Sequence, residues 1–318
     1  MSIPSIELHR LDDAARAGWL YYVAGKTQDD IARTMNISRQ RAQRLVAQAV
    51  TEGLIKVRLE HPVARCMELA QALQQRFGLL QCEVVPSVND DPNSTLGLGE
   101  AGARAIEKAL RSDEPKTIAF GTGRVLRACA DELMQLDCPQ HNIVSLVGNI
   151  SSQGTATRFD VAVRIAERIN GQHYPMPLPV ITDSPDQREA LHALPHIKRI
   201  LTLGRQADAT FVGIGSLGVS SPLHKDGFAS KEDLLRLSQA GAVGEIISWI
   251  YNGEGTLIDA PLAACVTSAP LQIAPHNPVT GIAAGENKLT AMMGALRSRL
   301  INGLITNEYT AQRILETA

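Results

Sequence analysis

Residues Thr117–Leu136 read TIAFGTGRVLRACADELMQL, and this stretch decides the architecture. An apolar run of strand length ends at Gly121, a turn bearing two glycines follows, and from Arg124 the apolar positions recur at helical spacing. The same alternation extends along the chain. Besides Thr117–Phe120, strands are expected at Cys82–Pro86, Asn142–Val147, His173–Leu178, Ala209–Ile214, Gly281–Ala284 and Gly303–Thr306. Helices are expected at Leu96–Arg111, Arg124–Leu136, Phe159–Asn170, Lys231–Gly241, Asn287–Leu300 and Glu308–Thr317. Alternating β and α units predict a doubly wound α/β domain around a mainly parallel sheet.

That domain is expected to occupy residues 61–318. His61-Pro62 breaks the pattern that precedes it, and Val63–Phe77 is an amphipathic helix suited either to packing on its own domain or to contact with another subunit. Residues 1–60 carry nine Lys and Arg against seven Asp and Glu, although the whole chain is slightly acidic, with 31 against 33. A small basic module is thus joined to a larger, mildly acidic domain. No run of 18 apolar residues exists to span a membrane, and MSIPSIELHRLDD has acids where a secretion signal needs an apolar segment. Five cysteines without a C-x-x-C pair read as reduced thiols, so a cytoplasmic protein is expected.

In the small module Asp12–Ala24 reads as a helix closed by Gly25. Thr27 with Asp30 makes a capping box for a short helix, Gln28–Met35. Asn36 breaks that helix, Ser38 caps a third one from Arg39 to about Thr51, and Leu54–Glu60 alternates as a strand would. This is a helix-turn-helix module with a minimal wing. Ala42, Leu45, Val46, Ala49 and Val50 form the core stripe of the third helix. Arg39, Gln40, Gln43 and Arg44 face the other way, with Arg41 on a flank. Arginine reads guanine and glutamine reads adenine in the major groove, so these four suit base edges of double-stranded DNA, with Thr27, Ser38 and Arg41 on phosphates.

In the large domain, ligands of such sheets sit where glycine-bearing loops leave the carboxyl ends of strands. Gly121-Thr122-Gly123-Arg124 offers backbone N–H groups, a helix N-terminus and a cation to an anion. Gly148-Asn149 follows its strand in the same way, and GIAAGENK (281–288) brings Lys288 to the start of another helix. If the strands before Arg124 and Lys288 are close, both cations converge. Two matches to G-x-G-x-x-G, at Gly97 and Gly213, lack the strand-turn-helix context and the acid that a dinucleotide needs. His192 and His196 are separated by Pro195 with no carboxylate motif after them, and no serine or cysteine sits in a nucleophile elbow. No cofactor, metal site or catalytic residue is expected.

The chain resembles the SorC/DeoR-type family of bacterial sugar-binding transcriptional regulators. The resemblance is carried by AGKTQDDIARTMNISRQRAQRLVAQAVTEGLIKVRL, IAFGTGRVL, ADATFVGIGS, GAVGEIISWIYNGEGTLID and GIAAGENKLTAMMGALRSRLINGLITNEYTAQRIL, and so spans nearly the whole chain. It implies an effector domain similar to sugar-phosphate isomerase and deaminase folds, a phosphorylated sugar or polyol as effector, and a homo-oligomer, dimer or tetramer. Gly121, Gly123 and Arg124 match the family's phosphate loop, Lys288 its phosphate-neutralising lysine, and Glu245 an acid facing the effector hydroxyls. Asp160 falls near a family asparagine on the third helix of the domain, and Gly215 lies in a matched block. Thr122 and Val125 replace the loop's aromatic residue and threonine, and Asn307 replaces a usual aspartate. The expected function is a DNA-binding regulator of a carbohydrate or polyol catabolic operon. The alternative is a sugar-phosphate isomerase or deaminase, which would have no need of the Ser38–Arg44 face.

Overall fold

The structure is a computed structural model that describes residues 5–55, 64–87, 91, 93–151, 154–155, 160–218, 221–225 and 227–317. The chain divides into two compact units, Met1–Pro62 and Val63–Ala318.

Among its described residues the first unit holds three helices: α1 (Ser5–Tyr22), α2 (Gln28–Met35) and α3 (Arg39–Thr51). Thr27 Oγ1 accepts the Asp30 N–H at 3.2 Å and the Thr27 N–H donates back to Asp30 Oδ2 at 3.2 Å, which closes the capping box that starts α2. Asn36, left-handed at φ 53°, ends α2. Ser38 Oγ accepts the Arg41 N–H at 3.3 Å and starts α3. Ala42, Leu45, Val46 and Ala49 pack with Ala14, Ala17 and Ile31 into one core. Val50, expected in that stripe, is 43% exposed. Eight residues beyond Ala42, it has turned about 80° around the helix and left the buried face. Of the expected wing strand, Leu54 and Ile55 lie in a bend, and residues 56–60 are outside the described residues.

The second unit begins α4 (Ala64–Phe77), β1 (Gln81–Val85), α5 (Leu98–Leu110), β2 (Thr117–Phe120), α6 (Arg124–Glu132), β3 (Asn142–Ser145), α7 (Ala162–Ile169) and β4 (Gln172–Tyr174). It continues with α8 (Pro185–His192), α9 (Pro195–Arg205), β5 (Ala209–Gly213), β6 (Gly215–Ser216), α10 (Pro222–Lys225), α11 (Lys231–Gln239), β7 (Ala242–Ile246) and β8 (Trp249–Asn252). It ends with α12 (Pro261–Ala264), β9 (Val279–Ile282), α13 (Leu289–Arg297), β10 (Gly303–Asn307) and α14 (Glu308–Thr317). Helix α6 stops short of the expected Leu136 because Leu133 is extended, at ψ 134°.

Seven parallel strands form one sheet in the order β1-β10-β9-β5-β2-β3-β4. Each of the seven strands expected for residues 61–318 contributes to it. Their apolar runs follow from burial on both faces: Ile118 and Phe120 enter the core made with α5, α6 and α7, and Ala119 enters the one made with α4, α9, α13 and α14. The apolar side of α4, including Leu73, is therefore used within its own unit. A smaller antiparallel sheet, β6-β7-β8, was not expected from sequence. From β2 the chain proceeds outward to β3 and β4, while from β5 it proceeds the other way to β9 and β10. The order thus reverses between the adjacent strands β2 and β5, the switch point at whose carboxyl end such sheets bind ligands.

Candidate functional site

The loop after β2 is fixed by two glycines. The Gly121 N–H donates to Phe211 O at 2.9 Å, which ties the loop to β5. Gly123 precedes α6 at φ 126° and ψ 170°, a conformation that only glycine adopts readily, and faces open space. Arg124, exposed, is then the first residue of α6. After β9 the chain makes one 3-10 turn, Glu286–Lys288, and Lys288 caps the start of α13. Only β5 separates β2 from β9, so the two loops leave the sheet about 10 Å apart. Between them β5 runs on into β6, where Gly215 pairs with Glu245 of β7.

Lys288 feels the charges of both Glu245 and Arg124. Burial pulls the Lys288 ammonium below its usual pKa; the Glu245 carboxylate acts to raise it and Arg124 to lower it further. Burial pushes the Glu245 carboxyl above the usual range, against the pull of the Ser248 N–H and of Lys288. Glu286 is engaged otherwise, with the Tyr309 hydroxyl at 2.5 Å and Arg313 at 3.6 Å, and so does not claim Lys288. Gly215 leaves the room that Glu245 occupies, since a Cβ there would lie 2.1 Å from Glu245 Oε1. Gly215→Ala is therefore expected to displace that carboxylate and cost about 1–3 kcal/mol in urea unfolding, as an overpacked site does.

On the other side of the switch point, Thr122 forms an antiparallel bridge with Asp160. This corrects the expectation for Asp160, which lies ahead of α7 and not on it: Val161 still precedes the first helical residue. Gly121, Thr122, Gly148, Asn149 and Asp160, with Ser145, line one cleft of about 10 Å³, room for a single water-sized group. The Gly148–Asn149 loop has little to offer an anion. The Asn149 N–H is bonded to Met176 O at 3.2 Å, and a Cβ on Gly148 would meet Leu178 O at 2.6 Å. Two polar residues here were missed from sequence. Ser145 Oγ lies 3.1 Å from His173 Nε2 and donates weakly to Asp160 Oδ1 at 3.4 Å. Burial lowers the His173 pKa, so the imidazole is neutral near pH 7, with Asp160 acting to raise it. Strand neighbours 28 residues apart leave no trace in local spacing.

The residues expected to face DNA lie on the first unit. Gln40, Gln43 and Arg44 are exposed on α3. Arg39 approaches Asp29 at 3.5 Å and Arg41 approaches Asp13 at 3.7 Å, exposed pairs worth about 0–1 kcal/mol each and readily exchanged for a phosphate. The Thr27 and Ser38 hydroxyl oxygens cap α2 and α3.

A larger groove, about 520 Å³, lies elsewhere, between Arg76 of α4 and Arg297 and Arg299 at the end of α13. It is open, and arginines at helix C-termini complement the helix dipole, so the switch-point cleft is the better candidate. Gly99 and Gly102 of the first dinucleotide-like match are packing points, where a Cβ would meet Ala128 at 3.2 Å and Cys129 Sγ at 2.3 Å. His192 bonds Thr267 O at 2.9 Å. Among the described residues no helix is long and apolar enough to cross a membrane.

A doubly wound sheet with cations and a carboxylate gathered at its switch point defines an α/β small-molecule-binding domain. Residues 61–316 match the family described as "Putative sugar-binding domain". Over 302 residues the chain is 30% identical to the erythritol catabolism regulatory protein EryD of Brucella abortus, covering 95% of this chain and 96% of that protein. It is 28% identical over 305 residues to the sorbitol operon regulator of Klebsiella pneumoniae, covering 93% and 95%. The crystal structure of full-length SorC from Klebsiella pneumoniae matches with a TM-score of 0.76 at 27% identity, over 99% of this chain and 100% of that one. The chain belongs to this SorC/DeoR-type family of sugar-binding transcriptional regulators.

Proposed function

We propose that the protein is a transcriptional regulator of a carbohydrate or polyol catabolic operon that works in the cytoplasm, binds operator DNA through α3, and is controlled by a phosphorylated sugar or polyol. The observation that carries this reading is the placement of Arg124 and Lys288 after β2 and β9, which only β5 separates at the switch point, with Glu245 close enough to act on Lys288. An anion takes the two cations and the α6 N-terminus, and hydroxyl groups turn to Glu245. Two cations, Arg124 and Lys288, stand against the single carboxylate of Glu245, so a neutral polyol would leave the positive charge in excess, which favours the phosphate form. A ligand that binds one conformation of the protein better than another shifts the balance between them. A ligand preference of about 1–3 kcal/mol between two conformations changes DNA affinity by about 5- to 150-fold.

A thermal-shift panel of sugar phosphates, polyol phosphates and free polyols tests the ligand class. A true effector at 100 times its Kd stabilises by about 2.7 kcal/mol. Stabilisation by free polyols but by none of their phosphates contradicts the proposal.

Lys288 also sets a pH dependence. Because its ammonium is disfavoured in the folded state, it loses its proton below the usual lysine pKa, and anion affinity declines earlier on the alkaline side than an ordinary lysine would dictate. Between the two pKa values the unfolded chain holds more protons, so this group's contribution to stability rises with pH there. Calorimetric titration from neutral to alkaline pH is expected to show the early decline, and Lys288→Arg, which does not titrate, is expected to remove it.

A single α3 presents too little surface for tight operator binding, so at least a dimer is required to read two half-sites. Sedimentation at micromolar concentration is expected to show a dimer or tetramer; a monomer that still binds its operator tightly contradicts this.

A further inference from the structure

The β7–β8 hairpin turns in two residues, Ile247 and Ser248, because Ile246 and Trp249 are its closing pair. Both turn residues take positive φ, 46° and 69°. Asparagine and glycine are the usual occupants of such a turn, and a β-branched residue is strained there by its own Cβ. Strain of this kind persists only where the surroundings enforce it.

Two contacts enforce it here. The Ile247 side chain is buried, 6% exposed, with Cγ2 seated on Gly121, where a Cβ would lie only 2.9 Å away. The Ser248 N–H donates to Glu245 Oε2 at 2.8 Å, while Glu245 Oε1 lies over Gly215. The same carboxylate that feels the Lys288 charge therefore holds the turn, and the strained isoleucine rests on the loop that leads to Arg124. We infer that the Ile247–Ser248 turn positions Glu245 for a hydroxylated anionic ligand and yields when that ligand takes the carboxylate, so that occupancy of the cleft is passed to the β7–β8 hairpin. This rests on the proposed reading of the cleft.

The sequence of events is a competition. A ligand hydroxyl that donates to Glu245 draws the carboxylate toward itself and so weakens the Ser248 N–H bond to Oε2. With that hydrogen bond weakened, Ile247 is kept left-handed by packing alone, against a loop whose own environment the bound anion has changed. The turn then relaxes, and Trp249, the next residue, moves with it. Trp249 is tied to Ala269 O through Nε1–H at 2.9 Å and lies under the Arg188 guanidinium, 5.7 Å from the ring centroid, so its emission reports such a movement. The other tryptophan of the chain, Trp19, belongs to the first unit and can be replaced by Phe.

The experiment uses the full-length Trp19→Phe protein, titrated with inorganic phosphate and with phosphorylated polyols of increasing chain length, following thermal shift and Trp249 emission together. A polyol phosphate is expected to change the emission with the same midpoint as the thermal shift; inorganic phosphate, lacking the polyol hydroxyls, is expected to change it less. Ser248→Gly keeps the turn N–H and relieves the strain at its own position, one of the two left-handed residues; it is expected to show a thermal shift at an altered midpoint and a smaller emission change. Emission that stays flat through a saturating thermal shift, or that responds equally in Ser248→Gly, overturns the role of the turn and leaves the cleft reading standing. No thermal shift with any member of the panel overturns both.

Discussion

Lys288→Ala is expected to weaken binding of a phosphorylated effector by about 30- to 1000-fold, equivalent to about 2–4 kcal/mol, because truncation removes one partner of a desolvated charge pair. The variant also leaves Glu245, a carboxylate already disfavoured by burial, without its cation. Arg124→Ala is expected to act in the same direction with a smaller effect, since Arg124 is exposed where Lys288 is partly buried. Operator binding without effector is expected to be intact in both variants. Titration calorimetry against the strongest ligand of the thermal-shift panel reads the loss directly. Two variants with unchanged affinity place the effector somewhere else.

The second large effect concerns DNA. Arg44→Ala is expected to cost about 1–3 kcal/mol of operator affinity and to relax specificity at one base pair, while Arg41→Ala weakens all sites alike and lowers the salt slope by about 1. The difference follows from placement: Arg44 stands on the exposed face of α3 beside Gln40 and Gln43, whereas Arg41 sits on a flank within 3.7 Å of Asp13. The Arg44 side chain is also held to its own helix, with Nε donating to Gln40 O at 3.4 Å. Gln40→Ala and Arg44→Ala are therefore neighbours whose effects need not add. Footprints that survive the double replacement unchanged contradict the assignment of α3 as the reading helix.

The central sheet was legible because parallel strands buried on both faces, such as Thr117–Phe120, are short apolar runs bounded by turns. The caps of α2 and α3 were legible because Thr27, Asp30 and Ser38 are local signals. The small sheet was not. Its strand β6 is two residues long, β7 carries Gly244 and Glu245, and the hairpin between β7 and β8 lacks the Asn-Gly signature that would have disclosed a two-residue turn. In sequence Pro195 reads only as a break between two histidines, whereas it occupies the first turn of α9, where a missing N–H costs nothing. Of the site, the glycines and cations were readable from their place after strands, but Ser145 and His173 were not, because strand order brings them together and sequence spacing does not. Asn307 is a related case. Its amide donates to Ser94 O at 3.0 Å and its carbonyl accepts the Thr310 N–H at 2.8 Å, a pair of roles that an aspartate could not both fill.

The measurement that tests the account most directly is the anisotropy of a labelled promoter fragment bound by the full-length protein, titrated with the panel of polyol phosphates. The account predicts a saturable change in operator Kd, up to about 100-fold, for the parent protein and none for Lys288→Ala at the same ligand concentrations. An equal response in the two proteins, or a parent that responds to free polyols alone, contradicts it.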